Sequence, residues 1–174
     1  MDPTCIADAR KRPTGQMFWG SFNGTEKGPT LIWNRVDYGS IDAAGYRDRI
    51  VPLIRGWIQQ WRLQHAGEEL FFMQDNAPVH TATIVIQELR ESGIQLVDWP
   101  PYSLDLNPIE HVWAWMKDWI NIQWPEARNT GYILMEQIEQ AWAAIPSDFL
   151  HKLLESMPER CQQVIRAQGR HSEY

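Results

Sequence analysis

Two short stretches near the start of the chain are dense in aromatic and β-branched residues. These are residues 16–22 (Gln-Met-Phe-Trp-Gly-Ser-Phe) and residues 30–36 (Thr-Leu-Ile-Trp-Asn-Arg-Val), with Asn23-Gly24 and Lys27-Gly28-Pro29 between them. That pattern predicts an antiparallel pair of strands joined by a turn. From Ile41 to about Gln64 the period changes. Tyr46, Ile50, Leu53, Ile54, Trp57, Ile58 and Trp61 recur at three- and four-residue steps, which predicts a helix. Pro52 cannot donate within it, so a kink or break is expected near Val51. Leu70-Phe71-Phe72-Met73 and Ile94-Gln95-Leu96-Val97 are short apolar runs with polar flanks and read as strands. Between them a helix is expected from Pro78 to about Ser92, stopped by Gly93. A Pro-rich loop spans Trp99 to Leu106. Asn107 and Pro108 then supply the cap and first residue of a helix whose apolar stripe is Val112, Trp113, Met116 and Ile120. Three more helices are expected over roughly 130–144, 147–156 and 158–168. The order β, β, α, β, α, β, α followed by helices is that of a mixed α/β domain, one sheet with helices packed on it. Residues 1–15 read as an N-terminal tail and 16–174 as the domain.

Composition narrows the class. A chain of 174 residues suits one domain, and 44% hydrophobic content with ten tryptophans is enough for an ordinary core. The net charge of −6 argues against a stand-alone nucleic-acid binder, and Arg10-Lys11-Arg12 is the only basic triplet. Two cysteines, Cys5 and Cys161, do not make a disulfide framework, so a reducing intracellular setting is expected, nuclear in a eukaryotic host. The Met1-Asp2-Pro3-Thr4 start lacks the basic and apolar regions of a signal peptide. No apolar run approaches the ~18 residues of a membrane span, so no membrane partner is expected.

The candidate chemistry lies in two acids. Asp75 follows the strand at 70–73, and Glu110 lies in the first turn of the helix opened by Asn107, with thirty-four residues between them. A residue just past a strand's C-terminal end faces a crevice. Two carboxylates converging there repel unless a cation separates them. Mg²⁺ or Mn²⁺, which favour oxygen ligands, are the expected occupants. Two such ions about 4 Å apart activate an attacking water or hydroxyl and stabilise the leaving oxygen of a phosphodiester. The same residues have plainer uses. Asp75 would serve as a cap for the following helix, and Glu110 would favour a helix N-terminus on electrostatic grounds alone.

The surrounding words discriminate. Gln74-Asp75-Asn76-Ala77-Pro78-Val79-His80 resembles the second-aspartate motif of the DDE transposases of the mariner superfamily. The run from Pro100 through Ser103, Asp105, Asn107, Pro108 and Glu110 to Trp113 resembles their third-acid motif, with Leu104 where the family usually has proline. The spacing matches the branch ending in Glu. Gln16-Met17-Phe18-Trp19-Gly20 and Ser156-Met157-Pro158-Glu159-Arg160-Cys161 also resemble it, so the likeness spans nearly the whole chain. The resemblance implies an RNase H-like mixed sheet flanked by helices, with extra C-terminal helices. It also implies metal-dependent cleavage and strand transfer on DNA, with transposon ends as the partner. Asp75 and Glu110 would be the second and third members of a catalytic triad, with Asn76, His80, Asp105 and Asn107 supporting them.

The first triad member should be an Asp on an opening strand well before residue 16, and only fifteen residues precede Gln16. The expectation is therefore a truncated, catalytically incomplete domain lacking its first strand. Two parts of the sheet would be unpaired, with open edges that invite a homodimer. Asp8 is the one nearby upstream acid, but its flanks do not resemble the missing motif. Asp105 is expected to fix a turn, and Asp98 to be a solvated loop acid. Trp113, Trp115 and Trp119 are expected to be packing residues. The alternatives to a DNA-cutting enzyme are a domesticated DNA- or protein-binding module and a decayed transposon remnant.

Overall fold

The computed structural model describes residues 17–24, 26–100, 103, 106–126 and 135–166. Strands β1 (Met17–Phe22) and β2 (Lys27–Trp33) form an antiparallel hairpin, with Phe18 opposite Ile32 and Trp19 opposite Leu31. The turn is closed by Asn23, whose side chain accepts from the Glu26 amide at 2.8 Å. Lys27-Gly28-Pro29 belongs to β2 rather than to the turn, and the pairing shifts by one residue between Gly20 and Phe22. That irregularity is where a strand tolerates Pro29, which has no N–H to give to a ladder. Gly28 is required by close approach: a Cβ there would lie 2.5 Å from Ser21 Oγ and 2.8 Å from the Trp57 ring.

The second strand ends at Trp33, three residues earlier than the pattern suggested. Asn34 caps a one-turn helix, α1 (Arg35–Tyr38), by accepting from the Val36 amide at 2.9 Å. Val36 is 93% exposed, so no sheet neighbour rewards an extended continuation. The long helical stretch breaks where Pro52 required, into α2 (Ala43–Arg49) and α3 (Val51–Gln64). The next pair, β3 (Phe71–Phe72) and β4 (Gln95–Leu96), is parallel and two residues long. The expected single helix between them is two pieces, α4 (Pro78–Thr81) and α5 (Thr83–Glu91), separated by Ala82 with ψ 134°. Gly93 stops α5 in the left-handed region at φ 69°. Helices α6 (Pro108–Gln123), α7 (Met135–Ala144), α8 (Ser147–Glu155) and α9 (Met157–Arg166) complete the described fold. The start of the expected 130–144 helix lies outside the described residues.

One sheet was expected; among the described residues there are two, the β1–β2 hairpin and the β3–β4 pair, with no ladder between them. The described residues also form two hydrophobic cores. Trp33, Tyr46, Ile50, Ile54, Ile58, Val85 and Leu89 pack with Met17, Trp19, Leu31 and Phe72. Val112, Met116, Ile138, Trp142, Leu150 and Leu153 pack with Phe18 and Phe22. The alternation of β1 explains this: Met17 and Trp19 go to one core, Phe18 and Phe22 to the other, so the hairpin is the wall between them. Phe18 meets Trp113 and Trp142 edge-on, each at 5.5 Å. A long-range tie fixes the hairpin to the C-terminal layer. Lys27 Nζ donates to the carbonyls of Trp142 (3.2 Å), Ala143 (2.5 Å) and Ile145 (3.2 Å) at the end of α7.

Candidate active site

A cavity of about 350 Å³ is lined by residues 18–23 of β1 and its turn, by residues 70–75 along and beyond β3, and by residues 107–110 at the start of α6. Tyr46, Trp57, His80 and Trp113 complete much of its wall. Both candidate acids line it. Asp75 arrives there because β3 ends at Phe72 and the chain runs on outside helix and strand before Pro78 starts α4. Glu110 arrives there because Asn107 caps α6, accepting from the Ile109 amide at 3.3 Å, with Pro108 buried at the first helical position. The cap expected at Asn107 is therefore present, and Asn107 itself is 5% exposed.

Asp75 does not cap a helix. Its Oδ1 accepts from the Ala77 amide at 3.0 Å, a local turn, and contacts His80 Nδ1 at 2.5 Å. Oδ2 makes no hydrogen bond among the described residues. The Glu110 carboxylate has no hydrogen bond or ion pair among the described residues either, although its amide donates to the Asn107 carbonyl at 3.1 Å. Partial burial raises its pKa above the ordinary value; the Lys117 charge opposes the rise and the Asp75 charge adds to it. Two carboxylates from separate elements thus feel one another across a shared cavity.

His80 is held on three sides. It contacts Asp75, its ring tilts against Tyr46 with centroids 4.7 Å apart, and its carbonyl accepts from Gln74 Nε2 at 3.1 Å. Gln74 Oε1 in turn accepts from the Tyr46 hydroxyl at 3.2 Å. Tyr46 is fully buried, and burial drives its hydroxyl pKa up. The helical pattern had marked Tyr46 only as an apolar stripe residue. The sign that it does more was chemical: a buried Tyr hydroxyl needs a partner. Asn76 does not line the cavity; its Nδ2 donates to the Trp99 carbonyl at 2.9 Å and so links the loops that follow β3 and β4. Asp98 is exposed and outside the cavity. Trp113, Trp115 and Trp119 are half-buried against the C-terminal core, as expected of packing residues. Asp8 and Asp105 lie outside the described residues. Among the described residues no group of three or more His, Cys, Asp or Glu side chains is gathered tightly enough to hold a metal ion.

Comparison with known proteins decides the family. The sequence profile of the DDE superfamily endonucleases matches residues 48–130, which include both acid motifs. The Tc1 transposase of Caenorhabditis elegans is 37% identical over 162 residues, covering 91% of this chain and 54% of that protein. The chain belongs to the mariner superfamily of DDE transposases. It spans about half the length of the curated relatives it matches. The Mos1 transposase catalytic domain, solved with Raltegravir and Mn, superposes with a TM-score of 0.69 at 19% identity, covering 91% of this chain and 78% of that one. The Mos1 paired-end complex with the left transposon end superposes at 0.65 and 19%, covering 99% and 50%. These likenesses establish the RNase H-like catalytic-domain fold expected from the motifs. The two small sheets described here are parts of that fold.

Proposed function

We propose that this transposase-derived chain is a portion of a catalytic domain that cuts and joins DNA phosphodiesters, with Asp75 and Glu110 as two of its metal-binding carboxylates. The observation that carries the reading is the convergence of these two acids, from the segment after β3 and from α6, on one cavity where the Glu110 carboxylate accepts no hydrogen bond among the described residues. The donor set fits a hard divalent cation, Mg²⁺ or Mn²⁺, because it offers carboxylate oxygens and no thiolate. When bound, such an ion lowers the pKa of an attacking water or hydroxyl and stabilises a leaving phosphodiester oxygen. The chain's own contribution is placement. His80 and the Ala77 amide hold Asp75 through Oδ1, and the Asn107 cap sets the helix turn that carries Glu110.

Two carboxylates hold an ion weakly, so this chain by itself is catalytically incomplete in our reading. The relatives support metal and DNA as partners: Mos1 has been solved with Mn, and with a left transposon end. A net charge of −6 leaves strong DNA affinity to other parts of an assembly. The second reading, a non-enzymatic binding module, is favoured by one observation. Among the described residues β1 pairs only with β2 and β3 only with β4, so each keeps a free edge beside the cavity. A second copy pairing through such an edge would give a homodimer. Plasmid nicking in Mn²⁺ or Mg²⁺ tests the first reading against the double variant Asp75→Ala, Glu110→Ala. Nicking abolished in the variant supports a working site. Equal behaviour of the two proteins agrees with a catalytically incomplete portion; Mn²⁺ binding lost in the double variant then upholds the metal-holding reading, and Mn²⁺ binding absent from both leaves the binding module, for which sedimentation gives the oligomeric state.

A further inference from the structure

Arg160 is the one charged side chain among the buried residues described, at 7% exposure on α9. Its Nη1 lies 2.7 Å from Nε2 of His111, forty-nine positions earlier. A guanidinium only donates, so His111 Nε2 accepts and the ring is neutral with its proton on Nδ1. His111 directly follows Glu110 in the first turn of α6. Burying a guanidinium is costly, and a well-packed apolar side chain of similar volume usually stabilises as well or better. The contact therefore contributes more to placement than to stability.

We infer that Arg160 is a positioning residue for Glu110. By gripping His111, α9 sets the rotation of the first turn of α6 about its axis and so the direction of the Glu110 carboxylate. Successive helical residues are about 100° apart, so holding one fixes the next. A side-chain tip about 5–6 Å from the axis moves about 1 Å for a 10° rotation. A misplacement of that size costs about 10²-fold in rate at a catalytic group. The Asn107 cap fixes where α6 begins, and Arg160 fixes how that first turn is rotated. The inference rests on the reading of Asp75 and Glu110 as a metal-holding pair.

The test is Mn²⁺ titration of the full chain by electron paramagnetic resonance, with NMR of the His111 ring and the Glu110 amide. Arg160→Met should weaken Mn²⁺ binding at least tenfold and shift the Glu110 amide, leaving signals at the Ile120 end of α6 in place. Leu153→Ala, which removes packing from the same helical layer and leaves the Arg160–His111 hydrogen-bonding groups in place, should keep the Mn²⁺ affinity. Arg160→Lys, which retains a cation but loses the planar fork, should resemble Arg160→Met and serves if that variant fails to fold. Unchanged affinity in the Arg160 variants, or equal loss in Leu153→Ala, overturns the inference. If wild type binds no Mn²⁺ that Asp75→Asn, Glu110→Gln removes, the metal reading fails instead. The NMR then decides the positioning role alone: a Glu110 amide unmoved by Arg160→Met overturns it, and a selective shift upholds it.

Discussion

Replacing Lys27 by methionine isolates the tie between the hairpin and the C-terminal helices. Methionine keeps the apolar stem, so the change removes the ammonium and little packing. In the native fold Nζ meets three carbonyls at the end of α7, at 3.2, 2.5 and 3.2 Å. Helix-terminal carbonyls lack intrahelical partners and carry partial negative charge, so a cation satisfies both needs. Hydrogen bonds to charged groups are worth about 1.5–3 kcal/mol each when well buried. Lys27 is only half-buried and the three share one ammonium, so about 2 kcal/mol for the set is the expected loss. For a chain of 174 residues each kcal/mol moves the midpoint by roughly 2–4 °C, giving a fall of about 4–8 °C. Urea denaturation followed by tryptophan fluorescence measures it, with Lys152→Met as control because Lys152 is exposed on α8. A Lys27→Met loss under about 0.5 kcal/mol, or one no larger than the control's, would refute the argument, since surface substitutions away from specific contacts cost that little.

Three further outcomes follow from the site. Asn107→Ala removes the α6 cap and should cost about 1 kcal/mol by urea denaturation, whereas Asn107→Ser, which keeps an acceptor, should cost less. Glu110→Gln should be more stable than wild type at pH 7. Because burial raises the folded pKa above the ordinary 4.5, the protonated form is favoured in the fold. The stability contributed by Glu110 is thus full below about 4.5 and lost as pH rises through the raised value. The advantage of glutamine should vanish in acid, and midpoints recorded across pH would contradict this if the gap stayed constant. Tyr46→Phe should cost about 1 kcal/mol by leaving Gln74 Oε1 without its donor, and should broaden the His80 ring signals in NMR; unchanged His80 signals would mean the network does not hold that ring.

Most elements were legible because local rules and tertiary structure agreed. The break at Pro52, the stop at Gly93 and the Asn107-Pro108 start of α6 each rest on backbone chemistry that acts within a turn or two. The departures occurred where competing local signals were close in energy. Asn34 ended β2 early because its side chain offered the Val36 amide a partner that no neighbouring strand supplied. Ala82 split the expected helix although it is a good helix former, and no residue type in that stretch announced it. The second turn signal misplaced Lys27-Gly28-Pro29, which pair in β2 across an irregular register. At the candidate site, the motifs singled out Asp75 and Glu110, and both line one cavity. Gln74 was only a motif letter and Tyr46 only a stripe residue until burial gave their polar atoms partners.

By itself the sequence determined the family and most of the order of elements and singled out the two acids as candidates, because periodicity, capping and motif chemistry are carried by near neighbours. The tertiary structure decided how far apart things in sequence meet. It brought Asp75 and Glu110 to one cavity, placed β1 between two cores, and set Lys27 against the end of α7 and Arg160 against His111. Those contacts join residues separated by tens of positions, and loop-closure entropy makes their formation a property of the whole packed chain. No local pattern encodes which distant carbonyl a lysine will reach, and only packing selects it.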